Sequence, residues 1–168
     1  MYKEIFGQIH KQLGQLDQWL TTAAAYATEK KIDPSVIINY RLAADQFPLV
    51  RQIQIACDAA KLGAARLSGK DAPNHPDTEQ TFEDLHARVR SVRSFLEGFT
   101  ANDFASAATR VITRPNWEGK IMHGSDFFLE HVIPNVYFHI THTYAILRHI
   151  GVPLGKMDFL GTLSLKAQ

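Results

Sequence analysis

The feature of this sequence that most constrains its fold is an apolar periodicity of three and four residues that recurs in four long segments. In the first segment, apolar side chains return at these steps from Ile5 to Leu20. Residues with this spacing share one face of an α-helix, and that face must be buried against other helices. The pattern therefore predicts an all-α four-helix bundle, with main helices over residues 2–28, 34–68, 78–98 and 124–150.

Prolines indicate where these helices start or break. Asp33 followed by Pro34 is typical of a helix N-cap with proline in the first turn. Pro48 is expected to kink or divide the second helix, and Pro134 to interrupt the last one. Before the last helix, residues 110–122 contain two short segments around a turn, which predict a small hairpin.

Length and composition limit the classes of protein to which the chain can belong. The chain has 168 residues, 45% of them hydrophobic and 21% charged, which predicts one globular domain over residues 1–168. A net charge of +1 gives no field that would attract a nucleic acid, and no segment is apolar for the length of a membrane span. A single cysteine and an N-terminus without the apolar core of a signal peptide predict a cytoplasmic protein.

Two further expectations concern surfaces. Arg88, Arg90 and Glu97 are expected among the solvent-facing charges of the third helix. The tail, residues 152–168, carries apolar side chains that predict packing over the bundle or against a second subunit.

Polar side chains recur along one stripe of the last predicted helix, at His131, Asn135, His139, His142 and His149. The stripe also contains apolar residues, so it does not match a fully solvated face. Two interpretations come first: hydrogen-bonded histidines of the core, and histidines at the rim in water. Metal binding is the main remaining alternative.

Several segments carry a resemblance to a known family. They are Arg41-Leu42-Ala43-Ala44-Asp45-Gln46-Phe47-Pro48-Leu49, Pro134-Asn135-Val136-Tyr137-Phe138-His139, Tyr144 to Gly151, and Asp158-Phe159-Leu160-Gly161. Over nearly its whole length the chain resembles a bacterial domain-of-unknown-function family, which is similar in architecture to the DinB/YfiT-like metalloenzymes. That larger group consists of four-helix bundles, often homodimers, and includes thiol-dependent transferases. The resemblance therefore implies a DinB-like bundle and a homodimer, but no assigned activity.

The resemblance also implies a place for a metal ion. The larger group uses one histidine of the second helix and two histidines of the fourth helix, four residues apart. Here the second of that pair corresponds to His139 and the first to Asn135, whereas the second helix contains no histidine. Asp45 lies near the expected position of the missing ligand, and Asp58 is an alternative carboxylate. An Asp, Asn and His set would hold a divalent metal less well than three imidazoles, so the absence of a metal is favoured.

Other reactive side chains favour structural roles. Cys57 is surrounded by apolar helix positions, which is typical of a small buried residue rather than a nucleophile. Asp58 and Lys61 lie three residues apart on a helix and predict a local ion pair.

Two hypotheses about function follow, and both leave open whether the protein is an enzyme. The first is a bundle that binds a small molecule between its second and fourth helices, in a pocket lined by Asp45, Asn135, His139 and His142. In this hypothesis His139 faces the interior within reach of Asn135 and of Asp45. The second is a degenerate, non-catalytic homodimeric scaffold or stress-linked interaction protein without a metal.

Overall fold

The computed structural model describes residues 1–166 and contains a bundle of four long helices. In chain order the helices are α1 (Tyr2–Lys30), α2 (Pro34–Ile38), α3 (Leu49–Ser68), α4 (Phe82–Glu97), α5 (Gly124–Asp126), α6 (Ile133–His149) and α7 (Lys156–Leu160). The long helices form a ring in which α1 and α3 each pack against α4 and α6. The predicted all-α bundle is confirmed, and buried apolar side chains from all four long helices form its core.

Helix α1 follows directly from its apolar stripe. Ile9, Leu13, Leu16 and Leu20 are all fully buried. The helix ends at Lys30 and is followed by Lys31, whose left-handed backbone (φ 56°) lets its N–H bond to carbonyls of the last turn. The predicted end at residue 28 is therefore two residues short.

The second predicted helix is divided before α3, as Pro48 led us to expect, but the range 34–68 is corrected because ten residues separate the two parts. Asp33 caps α2 by accepting a hydrogen bond from the Ser35 N–H at 2.8 Å, but this helix ends at Ile38. Residues 39–48 form a loop, and α3 begins only after Pro48. Proline disfavours a helical conformation in the residue before it, so helix α3 cannot extend back through Phe47.

The third predicted helix begins four residues later than expected. Thr81 and Asp84 form a capping box, in which each side chain accepts a hydrogen bond from the backbone N–H of the other. Residues 70–81 instead form a loop that crosses the groove between α3 and α4.

A buried arginine holds this loop in place. The Arg88 guanidinium, 2% exposed, contacts Asp58 at 2.8 Å, Asp77 at 2.9 Å and Glu79 at 2.8 Å. Burial alone would raise the pKa of Glu79, but hydrogen bonds from Arg88, the backbone and Gln54, together with the charge of Arg88, more than offset this, so the pKa lies below its usual value. The expectation that Arg88 faces solvent was therefore wrong, because three carboxylates compensate its charge in the interior.

The segment before the last helix contains the predicted hairpin. Strands β1 (Val111–Thr113) and β2 (Ile121–His123) pair antiparallel, with Ile112 opposite Met122. The hairpin is joined directly to α5.

The last predicted helix contains a π-helical turn, which the 3.6-residue apolar pattern does not predict. After the single turn of α5, residues Phe127–Val132 form a π-helical turn, and α6 then begins with Pro134 in its first turn. Proline lacks an N–H and clashes with the carbonyl four residues earlier, and the wider turn relieves this clash. Such turns are frequent at functional sites.

The tail packs on the bundle through α7. The Trp19 indole N–H donates to the Asp158 carbonyl at 3.1 Å, and the Phe159 ring stacks on Trp19 at 5.6 Å between centroids. Leu163 and Leu165 remain exposed, and residues 167 and 168 of the predicted tail lie outside the described residues. Homodimer formation stays a prediction, which sedimentation velocity tests directly.

We predict that Arg88→Met lowers the free energy of unfolding by roughly 3 kcal/mol, because it leaves Asp58, Asp77 and Glu79 without their shared cation. Urea denaturation measures the change. The control is Arg90→Met on the same helix, where the side chain is 57% exposed and the loss should stay below about 1 kcal/mol. Equal losses in the two variants would contradict the structural role of Arg88.

Candidate functional site

The candidate site is a cleft between α3 and the last helical segment, which run antiparallel. Near the start of α3, Gln52 bonds to His139, whereas near its end Gly63 faces Val132 of the π-helical turn. A Cβ atom at Gly63 would lie 2.7 Å from Cγ1 of Val132, so glycine is required for this close approach. The cleft opens beside this contact.

The cleft has a volume of about 570 Å³, which is the size of sites for small organic ligands. One wall is a stripe of α3 that contains Ile55, Ala59 and Leu62. The other polar and aromatic side chains that line it are Phe47, Arg51, Asp58, Arg66, Arg114, Asn116, Phe127, His131 and Asn135. The cleft therefore combines an apolar floor with several groups that can donate hydrogen bonds.

The end of the cleft near the hairpin carries two arginines, one from α3 and one from the turn after β1. Both Arg66 and Arg114 are half-buried, and among residues 1–166 neither forms an ion pair with a carboxylate. The pKa of Arg66 is lowered by burial and by the charge of Arg114. Two like charges thus share one partly dehydrated corner, which is unfavourable unless an anion joins them.

The imidazole of His131 completes this corner. Its Nε2 atom accepts a hydrogen bond from the Arg114 guanidinium, because arginine can only donate. The pKa of His131 is lowered by burial and by Arg114 and Arg66, so the ring is neutral and its proton lies on Nδ1. This Nδ1 atom is fully buried, and within residues 1–166 it has no hydrogen-bond partner.

Aromatic rings hold the His131 imidazole in place. Phe127 stacks on it at 5.1 Å between centroids and 19° between planes, and Trp117 meets it edge-on at 6.3 Å. The Arg114 guanidinium lies 5.8 Å from the Trp117 ring centre. The hairpin turn and the π-helical turn therefore position Arg114 and His131 together.

Of the four predicted pocket residues, only Asn135 lines this cleft. His139 is 7% exposed and faces the interior, where its Nδ1 donates to Oε1 of Gln52 at 2.7 Å. The Gln52 amide in turn donates to the Phe47 carbonyl at 3.0 Å, so its oxygen must face His139. The partner of His139 is thus Gln52 of α3 and not Asp45.

The remaining two predicted residues lie elsewhere. Asp45 is exposed in the loop of residues 39–48. His142 is half-buried one turn beyond Phe138, and its Nδ1 donates to the Phe138 carbonyl at 2.7 Å. These side chains do not share a cavity with Asn135.

A divalent metal ion fits the proposed ligands poorly. Asp45 lies in an exposed loop, and the Nδ1 atom of His139 is already bonded to Gln52. Within residues 1–166, no group of three or more His, Cys, Asp or Glu side chains is arranged to hold a metal ion. Asp58, the alternative ligand, contacts Arg88 and also Lys61 at 3.0 Å, which matches the predicted local ion pair.

A second cavity, of about 460 Å³, lies under the loop of residues 70–81 and contains a serine beside a histidine. The His75 Nε2 atom lies 2.9 Å from Ser91 Oγ, and its Nδ1 lies 2.7 Å from the Lys61 ammonium group. In serine hydrolases a carboxylate occupies the Nδ1 side, so that Nε2 can accept the serine proton. Here Lys61 donates to Nδ1, so Nε2 carries the proton and donates to Ser91. This arrangement fastens the loop and does not activate the serine.

Cys57 is fully buried, and burial raises the pKa of its thiol to about 12. The prediction of a structural cysteine is thus confirmed. No helix among residues 1–166 combines the length and the apolar character needed to cross a membrane.

The comparisons with known proteins identify the family. Residues 1–160 match the family described as Domain of unknown function (DUF1993). The chain belongs to this family. It is also similar to the crystal structure of a DinB family member protein from Shewanella denitrificans, with 52% identity over 97% of this chain and 93% of that chain, and a TM-score of 0.94. No curated protein matches the chain.

These findings confirm the predicted resemblance to an uncharacterised, DinB-like, mostly helical family. They support no specific activity.

Sequence reasoning missed the arginines of the cleft. Arg66 continues the α3 stripe of Ile55, Ala59 and Leu62, and a charged residue on an otherwise apolar stripe is a signal that could have singled it out. Arg114 could not be found in this way, because only the hairpin brings it next to α3.

We predict that folding becomes less favourable as the pH falls from 6.5 to about 4, in part because of His139. Burial, His142 and Arg51 lower its pKa from 6.5 to about 4 in the folded protein. In this window the unfolded chain binds a proton that the folded chain does not, so stability rises with pH. At pH 4.5 the contribution to the loss is about 2 to 3 kcal/mol.

The measurement is urea denaturation of the wild type and of His139→Gln at pH 7 and pH 4.5. The variant removes the titrating group, so the difference between the two pH values should shrink. Thr141→Ala, an exposed change on the same helix, serves as the control and should leave that difference unaltered. A wild-type difference retained in full by His139→Gln would refute the prediction.

Proposed function

We propose that this protein binds a small organic molecule through an oxyanion group, such as a carboxylate or a phosphate, in the cleft between α3 and α6. The observation that carries the proposal is the pair of half-buried arginines, Arg66 and Arg114, without a carboxylate partner in the described part of the chain. Arginine side chains are suited to hold carboxylate and phosphate oxygens through two parallel hydrogen bonds.

The hydrogen-bonding character of this corner also favours an oxyanion. The guanidinium groups of Arg66 and Arg114 donate hydrogen bonds and accept none. Both side chains belong to residues that line the cleft. A ligand that supplies acceptors would therefore complete the hydrogen bonding, whereas a cation or a hydrogen-bond donor would not.

The proposal is limited to binding. His131 is the imidazole at this end of the cleft, and the nitrogen that would act as a base already accepts a hydrogen bond from Arg114. A general base needs a free lone pair within reach of the proton that it removes. The arrangement is better suited to recognition of a ligand than to removal of a proton.

We predict that benzoate and phenyl phosphate raise the melting temperature of the protein, whereas the neutral benzamide does not. A ligand that binds only the folded state stabilises it by about 2.7 kcal/mol at about 100 times its Kd. Arg114→Gln and Arg66→Gln should each weaken binding by about tenfold to a hundredfold, since each removes charged hydrogen bonds. Differential scanning calorimetry and isothermal titration calorimetry provide the measurements.

The matched control is Arg90→Gln, an exposed arginine of α4 that lies outside the cleft lining. It should bind these anions as the wild type does. If neither anion binds, or if the cleft variants bind as well as the wild type, the proposal fails. The degenerate homodimeric scaffold would then be the better hypothesis.

A further inference from the structure

The charged side chains that line the cleft indicate which anions it can bind, because some of them have an ion-pair partner and others do not. Asp58 is the carboxylate that lines the cleft, and its Oδ1 atom is shared by Arg88 at 2.8 Å and Lys61 at 3.0 Å. Asp58 is therefore compensated by other residues. At the opposite end, Arg51 is paired with Asp77. The uncompensated charge of the lining thus comes from Arg66 and Arg114.

We propose that the ligand carries a doubly charged oxyanion group, a phosphate monoester or a compact dicarboxylate, between Arg66 and Arg114, with an apolar body along the α3 stripe. This inference rests on the proposed function of the same cleft. It goes further in naming the charge of the head group and the character of the rest of the molecule.

Two charges are needed because two adjacent guanidinium groups face one partly dehydrated corner. A singly charged anion would leave one positive charge there without a counter-charge, whereas a dianion would neutralise both. A phosphate monoester or two neighbouring carboxylates also offers enough oxygens for both guanidinium groups. Both classes share this chemistry, and the experiment below distinguishes them.

The apolar body follows from the shape of the cleft. A volume of about 570 Å³ is far more than an isolated phosphate fills. Ile55, Ala59 and Leu62 recur every three or four residues toward the start of α3, so they form one apolar stripe that leads away from Arg66. Phe47, 53% exposed, lies at the far end of this stripe. An aryl or alkyl group attached to the dianion would cover these side chains.

Matched pairs of ligands test the charge of the head group. The full chain is titrated at pH 8 and low salt with phenyl phosphate and with methyl phenyl phosphate, which carries one charge fewer. The second pair is phthalate and its monomethyl ester. At pH 8 the phosphate monoester is a dianion, since its second pKa is about 6. Isothermal titration calorimetry gives the four dissociation constants.

We expect the dianion of at least one pair to bind about tenfold or more tightly than its singly charged partner. The pair with the tighter dianion identifies phosphate or dicarboxylate as the head group. Arg66→Gln and Arg114→Gln should each reduce this preference, and the double variant should abolish it. Arg90→Gln should retain it.

The apolar body is tested in the same assay. Inorganic phosphate should bind more weakly than phenyl phosphate, and Ala59→Asp should weaken phenyl phosphate more than inorganic phosphate. Equal binding of phenyl phosphate and inorganic phosphate would overturn this part of the inference.

Two results distinguish a cleft that binds single charges from a protein that binds no oxyanion there. Equal affinities for the dianion and the monoanion in both pairs, with binding still lost in Arg66→Gln and Arg114→Gln, would overturn the doubly charged ligand and keep the oxyanion-binding cleft. No binding of any of the four compounds, or binding that is insensitive to both arginine variants, would overturn both.

Discussion

The candidate site depends on the close contact between Gly63 of α3 and Val132 of the π-helical turn. It brings the end of α3 against the start of the last helix, so Arg66 comes next to His131. A larger residue at position 63 would force the two segments apart, because its Cβ would clash with the Val132 side chain. The small size of Gly63 therefore allows Arg66 and His131, which are far apart in sequence, to lie next to each other.

The charged side chains of α3 fall into two sets, those that are paired with opposite charges and those that are not. Asp58 and Lys61 belong to the network around Arg88, in which opposite charges compensate one another and fasten the loop of residues 70–81. Arg66 lies two turns further along, and no carboxylate within residues 1–166 pairs with it. Buried or half-buried charges are costly unless paired, so a structure that pairs one set and leaves the other without a carboxylate points to a ligand for the second.

The long helices could be predicted because their apolar stripes are local patterns. The division of the second predicted helix was harder to predict. Pro48 indicates that the helix breaks, but not that the ten residues 39–48 form a loop. The site was the least predictable part. A constant rotation of about 100° per residue placed His131, Asn135 and His139 on one face. His131 and Asn135 do line the cleft, but His139 is buried and bonded to Gln52 of α3 instead.

A crystal structure of the full chain grown with 4-bromophenyl phosphate would locate the bound anion directly. We expect phosphate density between the guanidinium groups of Arg66 and Arg114, and anomalous bromine signal along the stripe of Ile55, Ala59 and Leu62. A phosphate bound elsewhere, with these two arginines contacting only solvent, would contradict this expectation.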